Sequence, residues 1–385
     1  MSELINRWNQ AFLGNYGTPD VQIVSGSGVY VKDSNNKKYL DLVSGIAVSS
    51  LGHSHPAVVK AIKVQSKKLI HTSNLYINEP SLKLAEKLQS LSKRKSRIFF
   101  CNSGAEANEA ALKITRMNKS GLALSLENSF HGRTFGALSL TGQKAKQAGF
   151  EPLLPGIEFL QANQKNQLAD FQENEVSSLF FEPIQGEGGV VDLDFDFLES
   201  LKVFTKEKNA YLVADEVQTG IGRSGYWFMS ESLGLDPDVI VLAKGLAAGL
   251  PIGAIMVFGE LVDGFNPGAH GSTFGGNPLS SAVALAVIET IEKYSLLENS
   301  RLRGEHFARN LSGHKAVKKI SGSGLLRGIY LQRPVAKQVV AKAQQSGLLL
   351  NALSDSIIRI APPLIIKKKQ IDFACEIIDK ALDTV

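Results

Sequence analysis

Two short apolar segments of this chain each end in a charged residue. Val239-Ile240-Val241-Leu242-Ala243 runs into Lys244-Gly245, and Tyr211-Leu212-Val213-Ala214 runs into Asp215-Glu216. Apolar, β-branched runs of this length read as buried parallel strands, each delivering one charged group to its carboxyl end. Their separation, 244 − 215 = 29 residues, leaves room for a connecting segment between neighbouring strands. An ammonium in an apolar setting loses hydration, so its pKa falls and it becomes a nucleophilic amine. Such a lysine can condense with an aldehyde, and a nearby carboxylate is what the ring nitrogen of a pyridine-type cofactor needs. Taken alone, the two residues fit a structural Lys–Asp pair at a sheet edge equally well.

Other segments carry further candidates. Asn102-Ser103-Gly104-Ala105-Glu106-Ala107-Asn108 follows an apolar run and opens a helix, with Ser103 and Glu106 at capping-box spacing. Free N–H groups at Ser103, Gly104 and Ala105 would suit an anion, although most such boxes only cap a helix. Asn128-Ser129-Phe130-His131-Gly132-Arg133 offers an aromatic face at Phe130 and a planar carboxylate-binding fork at Arg133. A core phenylalanine beside a surface arginine fits as well. Neither His131 nor His53-Ser54-His55 has metal-ligand company, so no metal site is expected. Glu187 lies in the glycine-rich loop 182–189 and could exchange partners; the alternative is a solvated glutamate in a surface turn. Ser272 and Thr273 precede a long helix and could reach a phosphate or merely start that helix.

These residues need elements to hold them. Candidate strands at 98–101, 122–126, 178–182, 210–215, 239–243 and 253–258 alternate with helical patterns at 105–118, 195–208 and 278–293. The alternation predicts an α/β domain with a mostly parallel sheet under helices, and its active site outside the carboxyl ends of the strands. A hairpin-like stretch, residues 28–41, is expected to pack with a smaller α+β domain that begins near residue 296. That domain should hold strands at 324–331, 348–350 and 357–360 and helices at 334–347 and 369–383. The expected division is an N-terminal segment 1–50, a large cofactor-binding domain 51–295 and a small domain 296–385.

Composition narrows the function classes. The chain has 385 residues, 44% hydrophobic and 21% charged, with a net charge of +5 that is dispersed rather than clustered. Nucleic acid is not an expected partner. No run approaches the length of a membrane span, and the first residues lack a signal-peptide pattern, so a soluble protein is expected. Two cysteines make no disulfide framework and fit a reducing cytoplasm.

In joint order, these motifs make the chain resemble the class III pyridoxal-phosphate aminotransferases of fold type I. The resemblance runs from about Val21 to the C-terminus. It rests on Gly52-His53-Ser54-His55-Pro56, the 102–108 and 130–133 segments, the 182–189 loop and Asp215-Glu216-Val217-Gln218. Ala243-Lys244, Gly271 to Pro278 and Ile358-Arg359-Ile360-Ala361-Pro362-Pro363 complete it.

The resemblance implies pyridoxal 5′-phosphate as cofactor, held covalently by Lys244, which also moves the reaction's proton. It implies that Asp215 pairs with the ring nitrogen, Gln218 lies by the phenolic oxygen with Val217 beside it, and Phe130 covers one ring face. Ser103, Gly104 and Ala105 would serve the phosphate; many relatives have threonine at the position of Ala105. Thr273, with Ser272 beside it, would reach the phosphate of a neighbouring subunit, which makes a homodimer with shared sites part of the expectation. Arg133 and Arg359 would take substrate carboxylates, and Glu187 would mask Arg359 when the reacting carbon bears none. The members it resembles most move the δ-amino group of N2-acetylornithine to 2-oxoglutarate, giving glutamate. Tyr16 resembles a tyrosine that holds the α-carboxylate of free ornithine, which keeps ornithine in view. N-succinylated substrates, 4-aminobutyrate, and a racemase or a regulator on the same fold are the alternatives.

Overall fold

The apolar runs become strands whose two faces are both covered. The computed structural model describes residues 2–385. In chain order the strands are β1 (Ile23–Ser27), β2 (Tyr30–Asp33), β3 (Lys38–Asp41), β4 (Ser96–Cys101), β5 (Leu122–Leu126), β6 (Ile157–Leu160) and β7 (Val176–Phe181). The short β8 (Ile184–Gln185) and β9 (Val191–Asp192) precede β10 (Tyr211–Asp215), β11 (Val239–Leu242) and β12 (Gly253–Phe258). The last third holds β13 (Val317–Ser323), β14 (Leu326–Leu331), β15 (Leu348–Leu349), β16 (Asn351–Ala352) and β17 (Ile357–Ile360).

Seven strands form the central sheet in the order β4-β12-β11-β10-β7-β5-β6. From β11 to β6 every neighbouring pair is parallel, while β12 runs antiparallel to both β11 and β4. Successive residues of β10 serve opposite faces, as the two-residue strand period requires. Val213 packs with Ala110, Ala111 and Ile114 of the helix Gly104–Asn118. Leu212 and Ala214 pack with Leu198, Leu201 and Phe204 of the helix Phe195–Glu207. The parallel register sets Asp215 opposite Val241, so Lys244 emerges just beyond the same sheet edge.

The expected hairpin is β2 and β3, extended by β1 on one side. On its other side β3 pairs in parallel with β15, a segment expected to sit with the last strands. Those form a separate antiparallel sheet, β13-β14-β17-β16.

After β3 the backbone takes an uncommon path. Ser44, Gly45, Ile46 and Ala47 all have left-handed φ, between 52° and 65°. For L-residues this costs roughly 1–2 kcal/mol each, so the turn must be held from outside. Asp41 does so: one carboxylate oxygen accepts the N–H groups of Val43 and Ser44 at 2.8 and 2.9 Å, and the other meets His53 Nε2 at 2.8 Å. His53 is therefore a structural partner here. Both cysteines, Cys101 and Cys375, are buried and free, and burial pushes each thiol up to about 12. No described helix is long and apolar enough to cross a membrane.

Candidate active site

Asp215 ends β10 in a fixed position, 3% exposed. Its Oδ2 accepts from Asn108 Nδ2 and from His131 Nδ1, both at 2.7 Å, and its Oδ1 accepts the Val217 N–H at 3.0 Å. Asn108 comes from the helix after β4, and its amide also donates to the His131 carbonyl at 2.8 Å. A carboxylate held by this many donors cannot swing.

Lys244 follows β11 in a left-handed conformation, φ 43°. Such a backbone costs of order 1 kcal/mol or more and is found where a side chain must be aimed. The side chain lines a cavity of about 400 Å³ that also contains Asp215, Gln218, Phe130 and Arg133. Burial is the main reason that the ammonium is pulled down to about 8; Glu187, Asp215 and Glu182 oppose the shift, and Arg359 adds to it. At pH 7 on the order of a tenth is thus a free amine, far more than for an ordinary lysine.

At the rim of β4 the capping box forms in altered shape. Ser103 Oγ accepts the Glu106 N–H at 3.1 Å, while Glu106 turns back to the Asn102 N–H at 3.0 Å. The N–H groups of Gly104 and Ala105 open a helix and so lack helical partners, and both residues line the cavity. A Cβ on Gly104 would lie 2.9 Å from Val217 Cγ2, so glycine is needed for packing against Val217 as well as for ligand approach. Phe130 is half-buried in the cavity wall, with the exposed Arg133 guanidinium 5.7 Å from its ring centre.

The opposite end is built from the last sheet and the 182–189 loop. Arg359 of β17 is 3% exposed and contacts Glu187 Oε1 at 2.5 Å, Gln218 Oε1 at 3.1 Å and Asn351 Oδ1 at 2.9 Å. Burial would raise the Glu187 carboxyl, yet Arg359, Lys244 and Lys146 together hold it below the ordinary range. Gln218 touches both charges of the pair and lines the main cavity, so it links the two ends.

The structure thus brings together Lys244, Asp215, Val217, Gln218, Phe130, Arg133, Ser103, Gly104 and Ala105 around one cavity, with Glu187 and Arg359 at its side. Ser272 lies next to this wall, its Oγ accepting from Asn102 Nδ2 at 3.1 Å. Thr273 is exposed and outside the cavity, and Tyr16 is 70% exposed and outside it too. Sequence reasoning gave no role to Asn108, His131, Asn351 or Glu182. Glu182 is 4% exposed, and its two oxygens accept the N–H groups of Phe130 and Gly186, both at 2.7 Å. Burial pushes its carboxyl up to about 7, aided by Asp215 and opposed by His131. Its position directly after a fully buried strand was the available signal.

The cavity fits pyridoxal phosphate by its own chemistry. It offers a buried amine, a fully bonded carboxylate near a ring-sized space, an aromatic wall, and unpaired N–H groups at a helix start for the phosphate. The comparisons agree. The family described as aminotransferase class-III matches residues 14–382. The acetylornithine aminotransferase of Mycolicibacterium smegmatis is 45% identical over 99% of this chain and 98% of its own length. That of Aquifex aeolicus is 44% identical over 96% of this chain and 99% of its own. Among solved structures, the ornithine aminotransferase of Toxoplasma gondii ME49 superposes with a TM-score of 0.94 at 31% identity, covering 100% of this chain and 95% of that one.

Proposed function

Because this chain belongs to the class-III aminotransferases, fold type I enzymes that use pyridoxal phosphate, we propose that it transfers the δ-amino group of N2-acetylornithine to 2-oxoglutarate. The products are N-acetylglutamate 5-semialdehyde and glutamate, a step of arginine biosynthesis. The observation that carries this reading is the Glu187–Arg359 contact at 2.5 Å. One pocket must accept a reacting carbon without a carboxylate and then one that carries it. A buried arginine with a displaceable carboxylate partner supplies both electrostatic states. Near-identical length and 45% identity to an acetylornithine enzyme support the acetylated substrate.

Bound pyridoxal phosphate supplies a ring that withdraws the electron pair left when the carbon bearing the amine loses its proton. The remaining work falls to the chain. Lys244 Nζ takes that proton and returns it one position along, which an amine with a pKa of about 8 can do in both directions. Asp215 holds the proton on the ring nitrogen, and Asn108 and His131 hold Asp215. Gln218, with Val217 beside it, would serve the phenolic oxygen, Phe130 would cover a ring face, and Ser103, Gly104 and Ala105 would hold the phosphate; all six line the cavity. Arg133 takes the α-carboxylate of acetylornithine or the γ-carboxylate of glutamate, and Arg359 takes the α-carboxylate of glutamate.

A homodimer with shared sites belongs to this reading. Leu75, Tyr76 and Ile77 are 85%, 68% and 93% exposed, and Phe274 is 59% exposed. Asn74 Nδ2 ties their segment to the Gly275 carbonyl at 3.0 Å, so one apolar surface surrounds Thr273. A second copy covering this surface would place Thr273 at its phosphate. The division into a large domain 51–295, a small domain 296–385 and a segment 1–50 that packs with the small domain is supported by the separate last sheet and by the pairing of β3 with β15. A cytoplasmic setting suits two free, buried thiols.

The test is the visible spectrum of the holoenzyme on stepwise addition of N2-acetylornithine, then of ornithine. Bleaching by the acetylated compound at much lower concentration, reversed by 2-oxoglutarate, is the expected result. An equal or better response to ornithine would move the substrate to free ornithine.

A further inference from the structure

The acceptors around the buried Arg359 guanidinium divide by origin. Its Nη1 donates to the Gly186 carbonyl at 3.3 Å, to Glu187 Oε1 at 2.5 Å and to Gln218 Oε1 at 3.1 Å. Gly186 and Glu187 belong to the 182–189 loop and Gln218 to the segment after β10, so all three come from outside the last sheet. Its Nη2 donates to Asn351 Oδ1 at 2.9 Å. Asn351 lies on β16, which pairs antiparallel with β17, and the register sets it directly opposite Arg359. Two side chains so placed share one face of the sheet and meet across the strands. Just before Asn351, Leu348 and Leu349 pair with Leu40 and Asp41 of β3. Asn351 is thus anchored between two sheets, and it alone among these acceptors sits on a strand bonded to the one that carries Arg359. A guanidinium only donates, so the amide must present its oxygen, and that oxygen adds no net charge. Neutrality matters here. Arg359 beside Glu187 is close to net neutral; once Glu187 leaves, one positive charge remains for an incoming carboxylate. A second resident carboxylate would cancel it.

We propose that Asn351 is a specificity-determining residue: it holds Nη2 of Arg359 throughout the cycle, while Glu187 and the substrate carboxylate exchange around it, and its neutral amide leaves the unmasked arginine its full charge. This rests on the reading of Arg359 as the α-carboxylate site of glutamate. Asn351 is a positioning residue that acts through Arg359. It keeps the planar fork aimed when the strongest partner departs. A fork already aimed loses less rotamer freedom on binding a carboxylate than a free one does.

The experiment follows each half-reaction of the holoenzyme separately by stopped-flow absorbance over a range of substrate concentrations. Asn351→Asp should weaken apparent glutamate binding about 100-fold and leave the limiting rate within about threefold, because the new carboxylate masks Arg359 permanently. Asn351→Ala should weaken it about tenfold, the loss of one hydrogen bond to a charged group. The N2-acetylornithine half-reaction should stay within about twofold of wild type in both variants, since Arg359 is masked there in any case. Asp355→Asn, a charge change at an exposed site in the loop between β16 and β17, should leave both half-reactions as they are. Equal losses with both substrates would make Asn351 merely structural and overturn the proposal. So would a fall in the limiting glutamate rate with binding unchanged, or an Asn351→Asp no worse toward glutamate than Asn351→Ala. If Asn351→Asp does not fold, the glutamate-specific loss in Asn351→Ala decides the matter, and its absence overturns the proposal. An Arg359→Gln protein that keeps the wild-type response to glutamate would instead remove the reading of Arg359 beneath it.

Discussion

Asp215 and Glu187 are both carboxylates near the cavity, yet their surroundings differ in kind. Asp215 accepts from Asn108, His131 and Val217, is 3% exposed, and has nowhere to turn. Glu187 is shared with Arg359 and, weakly, with Gln218 at 3.5 Å, and its side chain is 22% exposed beside an open cavity. In the proposed reading, the group that serves a resident ring is the one immobilised by several donors. The group that, in the same reading, must answer to alternating substrates is held by a single strong contact, which another anion could replace. The difference lies in the number and permanence of hydrogen-bond donors, since both carboxylates face nearby cations.

The contrast can be broken in several ways. Lys244→Ala should cost turnover about 1000-fold or more, because the proton-transfer group itself is removed, while thermal stability holds or rises on loss of a buried ammonium. Transamination within tenfold of wild type would show that the fixed end is not the chemical one. Asp215→Asn comes next, at about 100-fold in turnover. An amide there sets its own N–H groups against the donors at Asn108 and His131. At the exchangeable end, Glu187→Gln should change the ratio of the two half-reactions by about tenfold and leave cofactor affinity alone. A larger penalty for Glu187→Gln than for Asp215→Asn, measured as turnover on the complete reaction, would invert the comparison.

A pH measurement sharpens it. Lys244 sits at about 8 in the folded protein, below the roughly 10.4 of an unfolded lysine. The unfolded chain therefore binds more protons between these values. The associated stability is fully present above the unfolded value and is lost as pH falls through about 8. Cofactor-free protein should grow more stable to denaturant across that window, and Lys244→Ala should flatten the slope; an unchanged slope would place the titration elsewhere. The smallest effect concerns the left-handed turn that leads to the cavity wall. Ile46 has φ 64° and is 47% exposed. Ile46→Gly should relieve backbone strain while adding unfolded-state entropy, a net gain of about 0.5 kcal/mol by chemical denaturation. A loss above about 1 kcal/mol would show that the side chain matters more than the strain.

What was legible in the sequence follows from the same physics. The runs ending at Asp215 and Lys244 announce themselves because a doubly covered parallel strand must be continuously apolar, so its terminal charge stands out. The antiparallel direction of β12 was not legible, since a buried strand has the same composition either way. Neither was the pairing of β3 with β15, which joins residues about 300 apart. Glu182, His131, Asn108 and Asn351 escaped notice for a shared reason: their partners come from distant segments, and a polar residue reveals its role only once its donors and acceptors are assembled. Tyr16, plausible by type, lies outside the cavity wall.

Both native thiols sit near 12 and are shielded from solvent, so at neutral pH almost none is in the thiolate form that reacts. The two native thiols are therefore poor targets for alkylating and disulfide-forming reagents, and a cysteine introduced on the surface would react in preference to them. Placed at Leu75, on the apolar surface around Thr273, such a handle would turn the proposed association of two copies into a covalent record. A bifunctional thiol reagent would freeze the pair as a band of doubled mass, and a spin label would report the span between the two copies.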